Sequence, residues 1–326
     1  MILLCGDIGA SNSRLALVEV HQEKLSFVAK EFLKNAAFES FHDALTQFQK
    51  NFQVKIDAAS FGVAGPVLQG EVEITNLNWQ LSETSIAEHL KIKRCFLIND
   101  LEAIAFGISA VGPRDFEVIQ PGHKRDGVRA VIAPGSGIGE AILYWDGYQH
   151  KPMPTEGGHS SFSPTSPLQL ELLQYLFTKW SHVSWERVLS GPGIINIYEF
   201  LRSTRSGLDE PQRSTSAQIS EGALHGDELC VATIDLFFEI LATEAANLAL
   251  KSLPHGGLYI AGGITPKLLK LLNKEKFAKH FSHKGRMSSL LEKFEVILIL
   301  NEDVGILGAA RHAQFKVQAL SKRASL

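Results

Sequence analysis

Apolar residues along this chain gather in short runs that stop on polar ones, and the sharpest case is Cys95-Phe-Leu-Ile-Asn-Asp100. A run of that length with a polar boundary predicts a buried strand. The next eight residues, 101–108, have helix-forming composition, so Asn99 and Asp100 fall at a strand-to-helix junction. Open α/β sheets form their ligand crevices at such carboxyl ends. A carboxylate there is either a helix cap or a catalytic base, and for a lone Asp capping is the commoner role.

The same punctuation recurs from the N-terminus onward. Residues 2–5 and 15–20 are apolar runs around Gly6-Asp-Ile-Gly-Ala-Ser-Asn-Ser-Arg14, which predicts a hairpin with a Gly-rich turn. Gly9 lets backbone amides close on a phosphate, Ser11 and Asn12 add short polar groups, and Asp7 is suited to a water of a magnesium ion. A plain hairpin turn explains the stretch equally well. Neither G-x-x-x-x-G-K-[ST] nor a complete G-x-G-x-x-G is present. Phe38, Phe41, Leu45, Phe48 and Phe52 mark the buried stripe of an amphipathic helix. Residues 58–64 read as a strand, 71–75 as an edge strand, 76–79 as a loop over a crevice mouth, and Ser82 as the cap of a helix to Leu90.

Beyond Gly107 the pattern starts again, with a strand over 128–133, a turn Pro134-Gly-Ser-Gly-Ile-Gly139 and a strand over 141–145. Strand, glycine turn, strand thus occurs twice, as expected of a duplicated unit whose two hairpins grip a nucleotide's phosphates. Residues 152–161 form a loop in which Gly157 and Gly158 allow Glu156 and His159 to turn the same way. A glutamate accepts from hydroxyls and a histidine donates or accepts, which suits a polyol; one His and one Glu are too few for a metal. Ser166-Pro-Leu-Gln169 predicts a capping box and a helix to Trp180. Glu186 falls in the first turn of a short helix, where acidic residues commonly serve the helix dipole. Residues 203–217 look like a surface insertion. Residues 227–253 read as a long helix with an apolar side (Leu229, Leu236, Phe237, Ile240, Leu241, Leu248), followed by a strand that ends at Gly262-Gly263, where a flat adenine or ribose can lie on backbone. Seven Lys or Arg against Glu275 alone between 266 and 286 read as a solvated helix face. A strand over 295–300 and a closing helix over 304–320, returning to the N-terminal domain, complete the chain.

Composition narrows the class. At 326 residues, with 45% hydrophobic and 21% charged, the chain is expected to be soluble and to fold as two domains. A net charge of −3, from 35 acidic and 32 basic residues, gives no field to hold a polyanion, so nucleic acid is not an expected partner. Cys5, Cys95 and Cys230 form no C-x-x-C pair and fit a reducing cytoplasm. No segment approaches membrane-spanning length, and no membrane partner is expected.

Taken in order, Gly6-Asp-Ile-Gly9, Gly65-Pro66, Thr75-Asn76, Leu97-Ile-Asn-Asp100, Gly135-Ser-Gly-Ile-Gly139, Glu156-Gly-Gly-His159, Glu186-Arg-Val-Leu-Ser-Gly-Pro-Gly193, Ala261-Gly-Gly-Ile264 and Gly285-Arg-Met287 resemble the bacterial glucokinase family. The resemblance spans essentially the whole chain. It implies a two-domain actin-like ATPase (ribonuclease H-like) α/β fold with a duplicated mixed-sheet core and an interdomain cleft. The small domain is expected over 1–108 plus 301–326, and the large one over 109–300. It further implies transfer of phosphate from ATP, with Mg²⁺, to the 6-hydroxyl of glucose at the start of glycolysis, by a cytoplasmic homodimer. By the same resemblance Asp100 is the base, and Asn99, Glu156, His159 and Glu186 bind sugar hydroxyls. Gly6, Asp7, Ile8, Gly9, Ala10 and Ser11 hold ATP phosphates together with Gly135, Ser136 and Gly137, while Gly262 and Gly263 lie near adenosine.

Two departures stand out. Family members commonly carry Gly-Gly-Thr where this chain has Gly9-Ala-Ser11, and Pro134 precedes the second glycine turn. The related repressor and sugar-kinase family usually has a cysteine-rich zinc motif after its His, which His159 lacks. A catalytically quiet sugar-sensing regulator on the same fold is the alternative reading, and the intact Asp100 and both phosphate turns speak against it.

Overall fold

The computed structural model describes residues 1–9, 11–74, 77–204 and 212–324, the last three by backbone alone. In chain order it contains β1 (Ile2–Ile8), β2 (Asn12–His21), β3 (Lys24–Lys34), α1 (Phe41–Asn51), β4 (Ala58–Val63), β5 (Glu71–Ile74), β6 (Trp79–Ser82), α2 (Glu83–Leu90), β7 (Cys95–Asn99) and α3 (Asp100–Gly107). Then follow β8 (Phe116–Gln120), β9 (Arg129–Pro134), β10 (Ile138–Trp145), β11 (His150–Thr155), α4 (Pro167–Phe177), α5 (Gly191–Thr204), α6 (Ser216–Leu224), α7 (Glu228–Ser252), β12 (Leu258–Ile260), α8 (Lys274–Ser282), α9 (Ser288–Leu291), β13 (Val296–Ile299) and α10 (Val304–Ala324). Two compact units result, Met1–Asp115 with Asn301–Leu326, and Phe116–Leu300. The first boundary falls seven residues beyond the expected 108, because Ala110 N–H bonds back to Gly107 and the Asn301 amide holds Asp115 Oδ1 at 3.1 Å.

The sheets repeat one design. In the first unit the order is β3-β2-β1-β4-β7, and in the second β11-β10-β9-β12-β13-β8. In each, an antiparallel three-strand meander is extended by two parallel strands, so the duplication expected from the two glycine turns is present. All six residues of β4 are buried, as a central parallel strand requires. Alternation along β1 sends Leu4 and Ile8 to a core with Phe41, Phe48 and Phe61, and Leu3 and Cys5 to the face covered by Ile306, Ala309, Ala310 and Ala313 of α10. Phe41 meets Phe61 edge to face at 5.2 Å, a geometry that contributes about 0.5–1.5 kcal/mol beyond area burial.

Helix α10 crosses α3 almost backbone to backbone. A β-carbon on Gly308 would overlap the Ala103 carbonyl, and one on Gly107 the Val304 carbonyl. This contact fixes α3, whose first residue is Asp100.

Several expectations change. Trp79 opens β6 rather than lying in a loop, since its ring is 3% exposed and its indole N–H donates to Glu39 O; Thr75, Asn76 and Ala10 lie outside the described residues. Residues 152–155 belong to β11, an edge strand that tolerates Pro152 and Pro154. Helix α4 stops at Phe177, and Gln169 completes no capping box: its Oε1 accepts from Thr165 N and its Nε2 donates to Glu239. Helix α7 is buried nearly all round, because β9 lies against one side and α5, α6 and α8 against others. Of the expected insertion, Ser203 and Thr204 end α5, Thr215 caps α6, and 205–211 lie outside the described residues. Of the seven basic residues only Lys274, Lys276 and Lys279 lie on α8, which Phe277 and Phe281 anchor, with Lys274 paired to Glu117 and Lys276 to Asp235; Lys267, Lys270, Lys284 and Arg286 lie on the turns around it. The three cysteines are buried.

Candidate active site

In the first unit, the parallel strands β1, β4 and β7 end level with one another, Ile8 beside Val63 and Val63 beside Asn99. Asp7 therefore stands next to Gly62, and Asp100 follows one residue past the end of β7. Gly62 keeps the ground between them clear: a β-carbon on it would lie 2.8 Å from Ala103 Cβ and 3.7 Å from Asp100 Cα. The helix cap at this junction falls to Asn99, which accepts from Leu101 N at 2.9 Å, and Glu102 closes the capping box through Asn99 N. Asn99 Nδ2 donates to Gly65 O at 3.2 Å.

Asp100 is thereby spared the cap, although its Oδ1 also accepts from Leu101 N. Burial and the neighbouring Asp7 charge raise its pKa to about 7, against the pull of the Leu101 and Asp100 amides and the Asn99 side chain. Such a carboxyl exchanges protons near neutral pH, as a general base must. Burial raises the pKa of Asp7 as well, with Arg14 opposing and Asp303 adding to it.

The turn after β1 is held from below by Asn35. Its Nδ2 donates to Gly9 O at 2.8 Å, its backbone N–H to Ser11 O, and its Oδ1 accepts from Ser13 Oγ at 2.7 Å. Gly9 N–H closes on Asn12 O at 3.0 Å, and Ser11 is exposed. Of the expected phosphate residues, Gly6 and Ile8 lie within β1 rather than in the turn. Gly6 is glycine because a β-carbon would meet Leu15 at 2.8 Å and Phe61 at 2.9 Å, and the Ile8 side chain is fully buried.

The second unit gathers the remaining residues. Between β9 and β10, Gly135 N–H bonds to Gly137 O at 2.7 Å, while Gly135 O accepts from Gly191 N at the start of α5. Gly262 has φ of +85°, and a β-carbon on it would overlap the Pro134 carbonyl, so Pro134 seats the Gly262-Gly263 turn beside the glycine loop. Gly263 and Ser136 face open space. Glu186 lies on a single 3₁₀ turn (Trp185–Arg187), fixed by Ser190 Oγ donating to Glu186 O and by Trp185 packed edge-on to Phe162. Its carboxylate rests against Gly137.

Glu156 precedes a second 3₁₀ turn (Gly157–His159), and Glu156 Oε2 lies 3.8 Å from His159 Nε2. These side chains are 75% and 60% exposed, so both are open to a ligand. Trp185 N–H to Ser160 O and Phe162 N–H to Val183 O tie this turn to that of Glu186. Within this second unit Glu156, His159, Glu186 and the 135–137 and 262–263 turns thus share one neighbourhood. Two carboxylates and an imidazole beside backbone amides suit hydroxyl groups on one side and phosphate oxygens on the other.

Residues the sequence did not single out support both halves. Asn35 is 1% exposed, and only its position after the alternating stretch of β3 hinted at a turn role. Glu140, 2% exposed, shares the inward phase of Ile138 on β10, a charged residue where the alternation calls for an apolar one. Among the described residues no group of three or more His, Cys, Asp or Glu side chains could hold a metal, and no helix is long and apolar enough to cross a membrane. Asp7 nonetheless fits a phosphate-bound Mg²⁺. Such an ion asks for only one or two carboxylates, and its charge would offset the crowding of Asp7 by Asp100 and Asp303.

Comparison with known proteins gives the family. A family model described as Glucokinase matches residues 4–316. A glucokinase from Trichormus variabilis is 38% identical, over 95% of this chain and 98% of its own. The crystal structure of a glucokinase from an Antarctic psychrotroph is 31% identical with a TM-score of 0.83, over 95% and 98% of the two chains. A Balamuthia mandrillaris glucokinase solved in complex with glucose shares the fold at 21% identity and a TM-score of 0.79, over 94% and 92%.

Proposed function

The chain belongs to the glucokinase family and phosphorylates glucose, and from that premise we propose that Asp100 is the base that takes the proton from the sugar's 6-hydroxyl. The observation that carries this is the division of labour at the junction: Asn99 caps α3, and Asp100 has a pKa of about 7.

A neutral hydroxyl is a poor nucleophile. As its oxygen bonds to the terminal phosphorus of ATP, the bond from phosphorus to ADP breaks and the hydroxyl proton passes to the Asp100 carboxylate. Glu156 and Glu186 accept hydrogen bonds from sugar hydroxyls, His159 donates or accepts, and the Asn99 amide turns a donor to the sugar. Backbone amides of the 9–11 and 135–137 turns offset charge on the phosphates, and Gly262 and Gly263 leave adenosine room against backbone. A magnesium ion on the phosphates, held by Asp7 directly or through water, would supply further charge neutralisation. Arrest of Asp100 in its protonated state stops proton removal, so activity follows its ionisation. The family resemblance also supports a homodimer acting in the cytoplasm, at the entry of glucose into glycolysis.

ADP release with and without glucose tests the reaction, and kcat/KM for glucose against galactose tests the sugar contacts. A site built to pair hydroxyls rejects a mismatched analogue by roughly 10⁴ or more. Equal kcat/KM for the two sugars would remove Glu156, His159 and Glu186 from their roles.

A further inference from the structure

Glu140 on β10 and Glu244 on α7 are 2% and 0% exposed, yet both are carboxyls. Glu140 Oε1 and Glu244 Oε1 are buried and find no donor among the described residues. One proton between the two side chains satisfies both oxygens at once, and two carboxylates left charged in such a place would repel strongly. The remaining Glu140 oxygen, Oε2, lies so close beneath Gly157 that any β-carbon there would overlap it. The backbone around it is knitted to the same strand: Thr155 Oγ1 donates to Glu140 O at 3.0 Å and accepts from Gly157 N at 3.2 Å.

We propose that the Glu140–Glu244 pair, sharing one proton, is the support that positions the Glu156–His159 turn for sugar binding. It rests on the sugar-binding role given above to that turn, and makes Glu140 and Glu244 positioning residues. Asn247 and Lys284 favour the charged form of Glu244 and so place the proton on Glu140, while Lys251 favours the charged form of both. Burial first, then the Glu244 charge, pushes the Glu140 carboxyl up, with Lys251 opposing. Glu244 is also raised by burial, but Asn247, Lys251 and Lys284 favour its charged form. Asn247 Nδ2 donates to Glu244 Oε2 at 2.7 Å, Lys251 Nζ stands 3.7 Å from Glu244 Oε1, and Lys284 Nζ donates to Asn247 Oδ1 at 2.6 Å. Rising pH takes the shared proton to solvent, the two carboxylates separate, and Glu140 disturbs the turn above it.

The test is KM for glucose and KM for ATP between about pH 7 and about pH 9 in the wild type, Glu140→Gln and Glu244→Gln. Either glutamine supplies permanently the N–H donor that the shared proton supplies only below its pKa. The expected result is a wild-type glucose KM that climbs about tenfold or more with pH while ATP KM holds, the scale of a small misplacement of binding groups. In both variants glucose KM should stay flat, with wild-type kcat at the lower pH. A flat wild-type profile, or the same climb in the variants, overturns the proposal. Should Glu140→Gln fail to fold by circular dichroism, Glu244→Gln carries the comparison, and failure of both would overturn the shared-proton state that glutamine mimics. If the wild type turns over glucose but shows no such split, only this inference falls; if it neither binds nor phosphorylates glucose, the sugar-site reading falls with it.

Discussion

The carboxylate of Glu186 lies directly on the α-carbon of Gly137, with no room for a β-carbon between them. One residue of the proposed sugar set is therefore seated on the loop proposed to hold phosphate. Gly137→Ala must displace Glu186, the loop, or both. Catalytic groups moved by about 1 Å can cost roughly 10²-fold, so kcat/KM for glucose should fall by that order while the far-ultraviolet circular dichroism is unchanged. Gly263→Ala, where a β-carbon meets nothing within 4 Å, should leave the fold undisturbed.

Asp100 links activity to pH. With its pKa raised to about 7 before ATP binds, the base is ionised only above that value, so kcat/KM for ATP should rise as pH increases through about 7 and then level off. Stability runs the opposite way. A carboxyl whose folded pKa exceeds its unfolded value binds more protons in the folded state, so stability falls as pH rises from about 4 to about 7. Asp100→Asn should accordingly melt higher than the wild type at about pH 8 and close to it at about pH 4. Thermal melts at the two pH values check this, and equal shifts at both would contradict the desolvation of Asp100.

Asn35 holds the first turn without belonging to it. Asn35→Ala leaves Gly9 O and Ser13 Oγ without their partner, at about 1–3 kcal/mol for buried groups. KM for ATP should rise and the affinity for glucose, measured by calorimetric titration, should not. An unchanged KM for ATP would separate this turn from phosphate binding.

The crossing of α3 and α10 is the fold's tightest point near Asp100. Gly308→Ala drives a methyl into the Ala103 carbonyl and should cost about 1–3 kcal/mol, read as a lower urea midpoint. A wild-type midpoint would show that the helices separate freely.

Local signals carried far in this chain. Both glycine hairpins, the strand ending at Asn99, the closing helix and three members of the expected stripe, Phe41, Leu45 and Phe48, were legible because period and turn chemistry act over a few residues, whereas Phe38 precedes the Ser40 cap and Phe52 only ends the helix. Asp100 itself was ambiguous, since sequence shows a polar pair but not which member caps; the capping box that Glu102 closes on Asn99 N–H marks Asn99 as the cap. Glycines misled where packing, not turning, required them, as at Gly6 against Leu15 and Phe61. Glu140 and Glu244 were not legible as a pair, because only the fold brings β10 and α7 together.

The central claim is that Asp100 removes the sugar proton and does not hold the sugar. Calorimetric glucose titration of Asp100→Ala, run beside glucose-dependent ADP release, tests it most directly. Glucose affinity close to wild type with kcat lower by about 10²–10⁴-fold is the predicted result; near wild-type kcat, or loss of glucose binding with kcat retained at saturation, would contradict it.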